Sequence, residues 1–351
     1  MTATLSVRNL RVEIPTRAGV LRAIDDLSFD IAPGEVLGVV GESGAGKSIT
    51  GSAIIGLLEP PGRVAAGEIR LGGERIDDLG PDQMRRIRGR RIGMIFQDPL
   101  TSLNPLYRIG DQLTETILTH ERLSQRAARD KAQKLLEEVG IPAAGARLSA
   151  YPHQFSGGMR QRVVIALALC ADPELVIADE PTTALDVSVQ AQIIALLKRL
   201  CSERGASVML ITHDMGVIAE TADRVCVLYA GRLAEIGPVR AVVKHPQHPY
   251  THGLMSAIPS LAGDPDEELA QIPGAMPRLG AIPDGCAFNP RCDHAFARCR
   301  AERPHPYPAG ASDAACFLHD PDPARRPPEP VARAAAAHGI AAADETPEAT
   351  S

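Results

Sequence analysis

The sequence predicts an α/β fold centred on a buried parallel sheet, and three observations carry that prediction. Residues 36–40, 175–178 and 208–212 are short, almost wholly apolar runs, as strands covered on both faces are. The first run feeds Gly41-Glu42-Ser43-Gly44-Ala45-Gly46-Lys47-Ser48, which reads G-x-x-x-x-G-K-S and precedes a helix-like run at 49–58. The second run ends on Asp179-Glu180 and leads to an amphipathic helical pattern at 187–203. Strand, loop and helix in that order separate a phosphate-binding loop from an ordinary Gly-rich turn.

The loop's chemistry follows from its residue types. Gly41, Ser43, Gly44 and Gly46 are the predicted cradle, because glycines let consecutive backbone N–H groups turn inward around an anion. The helix that follows adds the positive end of its dipole. Lys47 is expected to reach the β- and γ-phosphates, and Ser48 to hold Mg²⁺. An apolar strand ending in Asp is the expected companion of such a loop. Asp179 would organise the Mg²⁺ shell, and Glu180 would act as base for a water aimed at the γ-phosphate.

Bulk properties bound the function. The chain has 351 residues, enough for one large domain or two ordinary ones. It is 44% hydrophobic and 23% charged, a globular composition. A net charge of −6 argues against a general electrostatic grip on nucleic acid. Aromatics make up only 3%, with no Trp, which argues against stacking platforms for single strands. The first ten residues lack the basic and apolar regions of a secretory signal. The longest apolar run, 163–171, is too short to span a bilayer. The expectation is a soluble, cytosolic chain that meets a membrane only through a partner.

Taken in order, residues 5–14 alternate as a strand, and 21–31 read as one or two more, closed by Ala32-Pro33-Gly34. Residues 67–71 and 92–96 are further short strands, and the basic, helix-like patch at 83–91 reads as a solvated face. Residues 97–105 hold two prolines, Asn and Ser and read as a loop. Helical spacing at 109–120 and 124–139 suggests a helical insert between two halves of a sheet-based core. Phe155-Ser156-Gly157-Gly158-Met159-Arg160-Gln161 then opens an apolar helix at 162–170. Ser156 suits an N-cap, and glycines at a helix start favour an anion facing the N–H groups. His213 ends a strand of the same series as Asp179, so a phosphate-facing role is read for it. Residues 224–229 and 232–237 form a hairpin turning at Ala230-Gly231. Residues 245–250 read as a turn-rich linker and 251–258 as a helix-like piece. A Pro/Gly-rich region runs on to His319, and the Pro-, Ala- and Glu-rich tail at 321–351 is expected to be disordered.

Five ordered motifs, GESGAGKS, the Gln97 loop, FSGGMRQ, LVIADEPTTALD and ITHD, together resemble the nucleotide-binding subunit of an ABC transporter over roughly residues 5–319. FSGGMRQ ahead of a strand ending Asp-Glu is the most specific of them. QDPLTSLNP, HPQHPYTHGLMSAIP and the cysteine-bearing tail resemble the dipeptide/oligopeptide (and nickel) importer branch. The resemblance implies a P-loop NTPase fold with an ABC-type nucleotide-binding domain at 1–245, a helical subdomain at about 98–170, and a small loop-rich extension at 246–320. It implies ATP and Mg²⁺ as cofactors, and two nucleotide-binding subunits paired head to tail. Lys47 and Ser48 then hold phosphates and Mg²⁺, with Asp179 supporting the metal. Gln97 contacts the metal or water and couples to the permease. Ser156, Gly157 and Gly158 meet the partner's γ-phosphate. Glu180 is the general base, Asp186 reaches across the dimer, and His213 senses the γ-phosphate.

The implied partners are two transmembrane permeases, a second ATP-binding subunit that is a paralogue, and an extracytoplasmic binding protein. Nucleic acid is not among them, and the implied location is the cytoplasmic face of the cell membrane. The signature carries Phe155 and Met159 where Leu and Gln are usual. The family often stacks adenine on an aromatic upstream of the phosphate loop. Residues 13–22 contain none, and Arg17 is available to stack by its guanidinium face.

Cys170, Cys201 and Cys226 are scattered singly and read as core residues. Cys286, Cys292, Cys299 and Cys316 cluster with the spacing C-x5-C-x6-C-x16-C, unlike the C-x2-C of most zinc ribbons. Four thiolates in a loop-rich segment suit an iron–sulfur cluster, with structural zinc or no metal as alternatives. Similar tails in peptide-importer ATPases are associated with a four-iron four-sulfur cluster. The principal expectation is an ATPase subunit powering di- or oligopeptide import. The alternatives are import of nickel or another small solute, a soluble ABC ATPase acting on nucleic acid or ribosomes, and a partner that binds ATP without hydrolysing it. Glu180 and His213 argue against the last.

Overall fold

The computed structural model describes residues 2–183, 185–257 and 271–327. Its strands are β1 (Leu5–Thr16), β2 (Gly19–Ile31), β3 (Val36–Val40), β4 (Arg63–Leu71), β5 (Glu74–Arg75), β6 (Ile92–Ile95), β7 (Leu175–Asp179), β8 (Ser207–Ile211), β9 (Arg224–Tyr229), β10 (Arg232–Pro238), β11 (Tyr307–Ala309) and β12 (Ser312–Ala314). Eight of them form the main sheet, in the order β11-β12-β10-β9-β3-β8-β7-β6. Neighbours from β9 to β6 are parallel, and β9, β10, β12 and β11 pair antiparallel. A separate antiparallel sheet has the order β2-β1-β4-β5.

The apolar runs behave as buried parallel strands do. All five residues of β3, of β7 and of β8 are buried. Period-two alternation divides each strand between two cores. Val36, Val40, Val176, Ala178, Val208 and Leu210 face the core shared with the helices. Leu37, Val39, Leu175, Ile177, Met209 and Ile211 face the core shared with the antiparallel sheet. The main sheet is thus the middle of three layers.

The helical insert packs on the first of these cores. Helix Ile109–His120 buries Ile109, Leu113 and Ile117, and helix Gln125–Glu138 buries Ala128, Ala132, Leu135 and Leu136, the spacing of a single helical stripe. Ser124 caps the second by accepting from the Ala127 N–H.

Several local expectations change in the structure. β2 is one strand, and β4 starts four residues before its expected start at 67, because Val64 and Arg63 pair with Val12 and Glu13. The 97–105 loop contains a short helix, Pro99–Ser102, nucleated by Asp98, whose carboxylate accepts from the Leu100 N–H at 2.8 Å. The basic patch is a helix only over Pro81–Ile87. Beyond it Arg88 donates to the Ile55 carbonyl, Arg90 to that of Ala171, and Arg91 pairs with Glu74 and Glu174. These three arginines tie chain segments together rather than forming a free solvated face.

The largest change lies at residues 245–250, which are not a free linker. His248 caps helix Pro249–Ser256 through Nδ1, which accepts from the Tyr250 N–H at 3.0 Å. Burial depresses the His248 pKa to about 3, so the ring is neutral and able to accept. Tyr250 is fully buried. The Pro/Gly-rich region also contributes β11 and β12, and Glu235 and Ile236 of β10 pair with Ala314 and Asp313 of β12. The fully buried Glu235 carboxylate accepts from the Gln247 and His248 N–H groups and the Ser312 hydroxyl, at 2.8–3.1 Å. Of the helix-like piece at 251–258, residue 258 lies outside the described residues, as do 328–351 of the expected disordered tail.

Candidate nucleotide-binding site

The phosphate loop joins β3 to helix Lys47–Ile54. Gly41 and Gly46 hold φ values of 150° and 99°, in the region that favours glycine. A Cβ on Gly41 would lie 2.3 Å from the Leu228 carbonyl oxygen, and one on Gly46 would lie 2.7 Å from Ile24 Cδ1. Only glycine fits at either point.

Lys47 is buried, and its Nζ donates back to the Gly41 and Glu42 carbonyls at 2.8 and 3.1 Å. Burial lowers its pKa, against the opposing charges of Glu180, Asp179 and Glu42. The ammonium is thus folded over the loop mouth, within reach of an incoming phosphate. Ser48 Oγ donates to Asp179 Oδ1 at 2.9 Å. Burial raises the Asp179 pKa, with the Ser48 hydrogen bond acting the other way. A hydroxyl and a buried carboxylate in contact form an oxygen pair suited to a hard divalent cation.

Beside this pair stands Glu180. Its φ is 44°, unusual for a residue with a side chain, a strained conformation of the kind that gathers at functional sites. The Glu180 N–H donates to the Ile211 carbonyl at 2.9 Å, which anchors the turn to β8. Glu180 Oε2 accepts from Gln97 Nε2 and from Thr183 Oγ1, both at 3.0 Å. Oε1 lies 3.4 Å from His213 Nδ1. Gln97, Glu180 and His213, which come from the ends of three different strands, therefore meet at one carboxylate. Thr183 was not singled out by sequence, although its place three residues after Glu180 in the same turn is a local signal.

The remaining predicted residues lie elsewhere. Ser156 caps helix Gly157–Leu169, its Oγ accepting from the Met159 N–H at 3.3 Å. Asp186 caps helix Val187–Arg204 through the Val189 N–H at 2.9 Å, and its carboxylate also accepts from the Ser188 hydroxyl. A Cβ on Gly157 or Gly158 would approach Leu185 or Val189, so this helix start packs beside the Asp186 turn. Among the described residues no hydrogen bond joins Ser156, Gly157 or Gly158 to the phosphate loop.

The four clustered cysteines line one small cavity, together with Phe288, Phe296 and Phe317. Burial pushes the Cys292 and Cys316 thiols up to about 12 and also raises that of Cys286. Among the described residues, no group of three or more His, Cys, Asp or Glu side chains is close enough to hold a metal ion. Four sulfurs lining one cavity are the donor type that an iron–sulfur cluster would need. Cys170, Cys201 and Cys226 are buried in the cores, as expected.

A parallel sheet with a glycine-bound loop before a helix, and a serine–aspartate pair beneath it, defines a phosphate-loop nucleotide-binding protein. Residues 24–183 match the ABC transporter family, and residues 234–299 match the oligopeptide/dipeptide transporter C-terminal region. The dipeptide transport ATP-binding protein DppD of Bacillus subtilis is 48% identical over 91% of this chain and 96% of its own length. The oligopeptide transport ATP-binding protein OppD of the same organism is 46% identical over 94% and 93%. Escherichia coli DppD is 46% identical over 86% and 92%. A solved dimer of the ATP-binding cassette MJ0796, in a post-hydrolysis state with ADP and phosphate, superposes with a TM-score of 0.61 at 28% identity. That match covers 67% of this chain and 99% of the cassette. The chain belongs to the ATP-binding subunits of ABC transporters, in the dipeptide and oligopeptide transport branch. It is an ATPase, and no helix among the described residues is long and apolar enough to cross a membrane.

Proposed function

We propose that this chain hydrolyses ATP to drive import of di- or oligopeptides through membrane permeases. The observation that carries the reading is the convergence of Gln97, Thr183 and His213 on the Glu180 carboxylate, beside the Ser48–Asp179 pair. Lys47 and the loop N–H groups bind the triphosphate, and Ser48 and Asp179 hold Mg²⁺. Glu180 takes the proton from the attacking water, and His213 and Gln97 orient the groups around it. Phosphoryl transfer to water needs positioning and charge stabilisation more than covalent chemistry. Among the described residues the Ser156 helix start makes no hydrogen bond to the chain's own phosphate loop, which supports a head-to-tail pair in which each signature closes over the other subunit's ATP. Closure would then be tied to movement of the permeases. The full assembly has two permeases, a second paralogous ATP-binding subunit and an extracytoplasmic binding protein, with this chain at the cytoplasmic face of the membrane. Nucleic acid has no part in it: the net charge is −6, and the relatives named above are transport proteins.

The test is uptake by proteoliposomes carrying the chain together with peptide-importer permease subunits from the same organism. Labelled di- or tripeptide should accumulate only with ATP inside, and Lys47→Ala should abolish the uptake. Transport of nickel without peptide, or recovery of the chain on ribosomes, would overturn the peptide assignment.

Cys286, Cys292, Cys299 and Cys316 are read as ligands of a four-iron four-sulfur cluster. Bound there, the cluster would deprotonate the buried thiols and cross-link four points of the extension. Their convergence on one cavity supports this. Anaerobically purified protein should show a broad visible absorption band in the blue that Cys→Ser variants lose. Stoichiometric zinc with no such band would favour the zinc alternative instead.

A further inference from the structure

Glu42 places a carboxylate inside a loop whose task is to bind a highly negative triphosphate. Its charge is felt at Lys47, and by the same Coulomb argument it opposes ATP unless something neutralises it. The neutralising group comes from 249 residues away. Arg291 Nη1 and Nη2 donate to Glu42 Oε2 and Oε1 at 2.8 and 3.0 Å, a bidentate pair. The guanidinium is otherwise fully engaged. Nε donates to the Pro273 carbonyl and Nη2 also to that of Ile272. Its central carbon, Cζ, lies 5.8 and 5.9 Å from the Tyr229 and Phe288 ring centres. Only 7% of the side chain is exposed. A second tie runs to the same loop residue, as the Glu42 N–H donates to the Tyr250 hydroxyl at 2.8 Å. The side chain and backbone of one phosphate-loop residue are thus both held from beyond the nucleotide-binding core.

We infer that Arg291 is a positioning residue for ATP binding: it neutralises Glu42 and, with Tyr250, fixes the phosphate loop. The C-terminal extension is therefore a working part of the ATP site. Arg291 itself sits on a turn closed onto the cysteine segment, because the Asn289 N–H and side-chain amide both donate to the Cys286 carbonyl. The inference rests on the reading of residues 41–48 as the ATP site.

The test measures Mg·ATP affinity of the full chain by titration, and turnover at saturating ATP. Arg291→Ala should weaken ATP binding about fivefold, with turnover at saturation little changed, because it exposes the Glu42 charge to the phosphates. Glu42→Gln in the Arg291→Ala background should restore affinity to near that of Glu42→Gln alone. A purely structural role for Arg291 predicts no such rescue. Arg291→Gln removes the charge while keeping most of the side chain, and gives the same reading where the alanine variant folds poorly. Parental affinity in the Arg291 variants, or a double variant as weak as Arg291→Ala, would overturn the inference. Lys47→Ala in the same titration reports separately on the ATP site. Loss of binding there with no effect at Arg291 rejects the inference alone, and retained binding rejects the site.

Discussion

Glu180→Gln is expected to lower ATP turnover by about a hundredfold to ten-thousandfold, the range contributed by a positioned general base. It should leave Mg·ATP bound in a form that is not released. The substitution keeps size and one accepting oxygen, and turns the other oxygen into an amide donor. An amide oxygen can still accept from Gln97 or Thr183, which lie 3.0 Å from Glu180 Oε2. What disappears is the ability to take a proton from water. Turnover should fall while ATP affinity holds. Single-turnover hydrolysis and retained nucleotide after gel filtration would measure the two effects. Parental hydrolysis by Glu180→Gln would remove Glu180 from the role of base and leave the Gln97–Glu180–His213 cluster without its proposed chemistry.

The second large effect belongs to Glu235. Its buried carboxylate is the common acceptor for Gln247, His248 and Ser312, so it joins the chain after β10 to the returning strand β12. Glu235→Ala leaves the Gln247 and His248 N–H groups without their acceptor, and the Ser312 hydroxyl with only the Ala309 carbonyl at 3.2 Å. Such orphaned donors cost about 1–3 kcal/mol each, and partial relaxation brings the expected total to about 3–4 kcal/mol. Chemical denaturation should show the lower midpoint. Limited proteolysis should cut first within the extension, because the break lies at its attachment. An unchanged midpoint together with an equally resistant extension would show that β12 holds without this carboxylate. Through Tyr250 and Arg291, the same variant should also weaken ATP binding.

Much of the fold was legible because its signals are local. A strand buried on both faces must be apolar at every position, and β3, β7 and β8 read that way directly. The ends of those strands were legible too, since chemistry limits which residues can stand there. Glycine is required at Gly41 and Gly46 by backbone geometry, and the expected aspartate at 179 stands against Ser48. The helix cap at Ser156 was legible as well, because its side chain reaches only three residues ahead. The sequence was less informative where a local pattern had a distant partner. Prolines and histidines at 245–250 resemble a linker until Glu235 is placed beneath them. The arginines at 88, 90 and 91 resemble a solvated face until the carbonyls and carboxylates they serve are brought near.

The sequence by itself determined the phosphate loop and the family, with the expected metal-supporting aspartate, base and helix-start signature in the family order. Each lies within a few consecutive residues, so short-range backbone geometry and side-chain type suffice to specify it. Only the tertiary structure decided how these pieces act on one another. It brought Gln97, Thr183 and His213 to Glu180, packed the signature helix start beside the Asp186 turn, and set Arg291 against Glu42. Contacts of that kind depend on strand order and on which sheet edge the returning chain joins, and those are settled by burial of whole faces rather than by neighbouring residues.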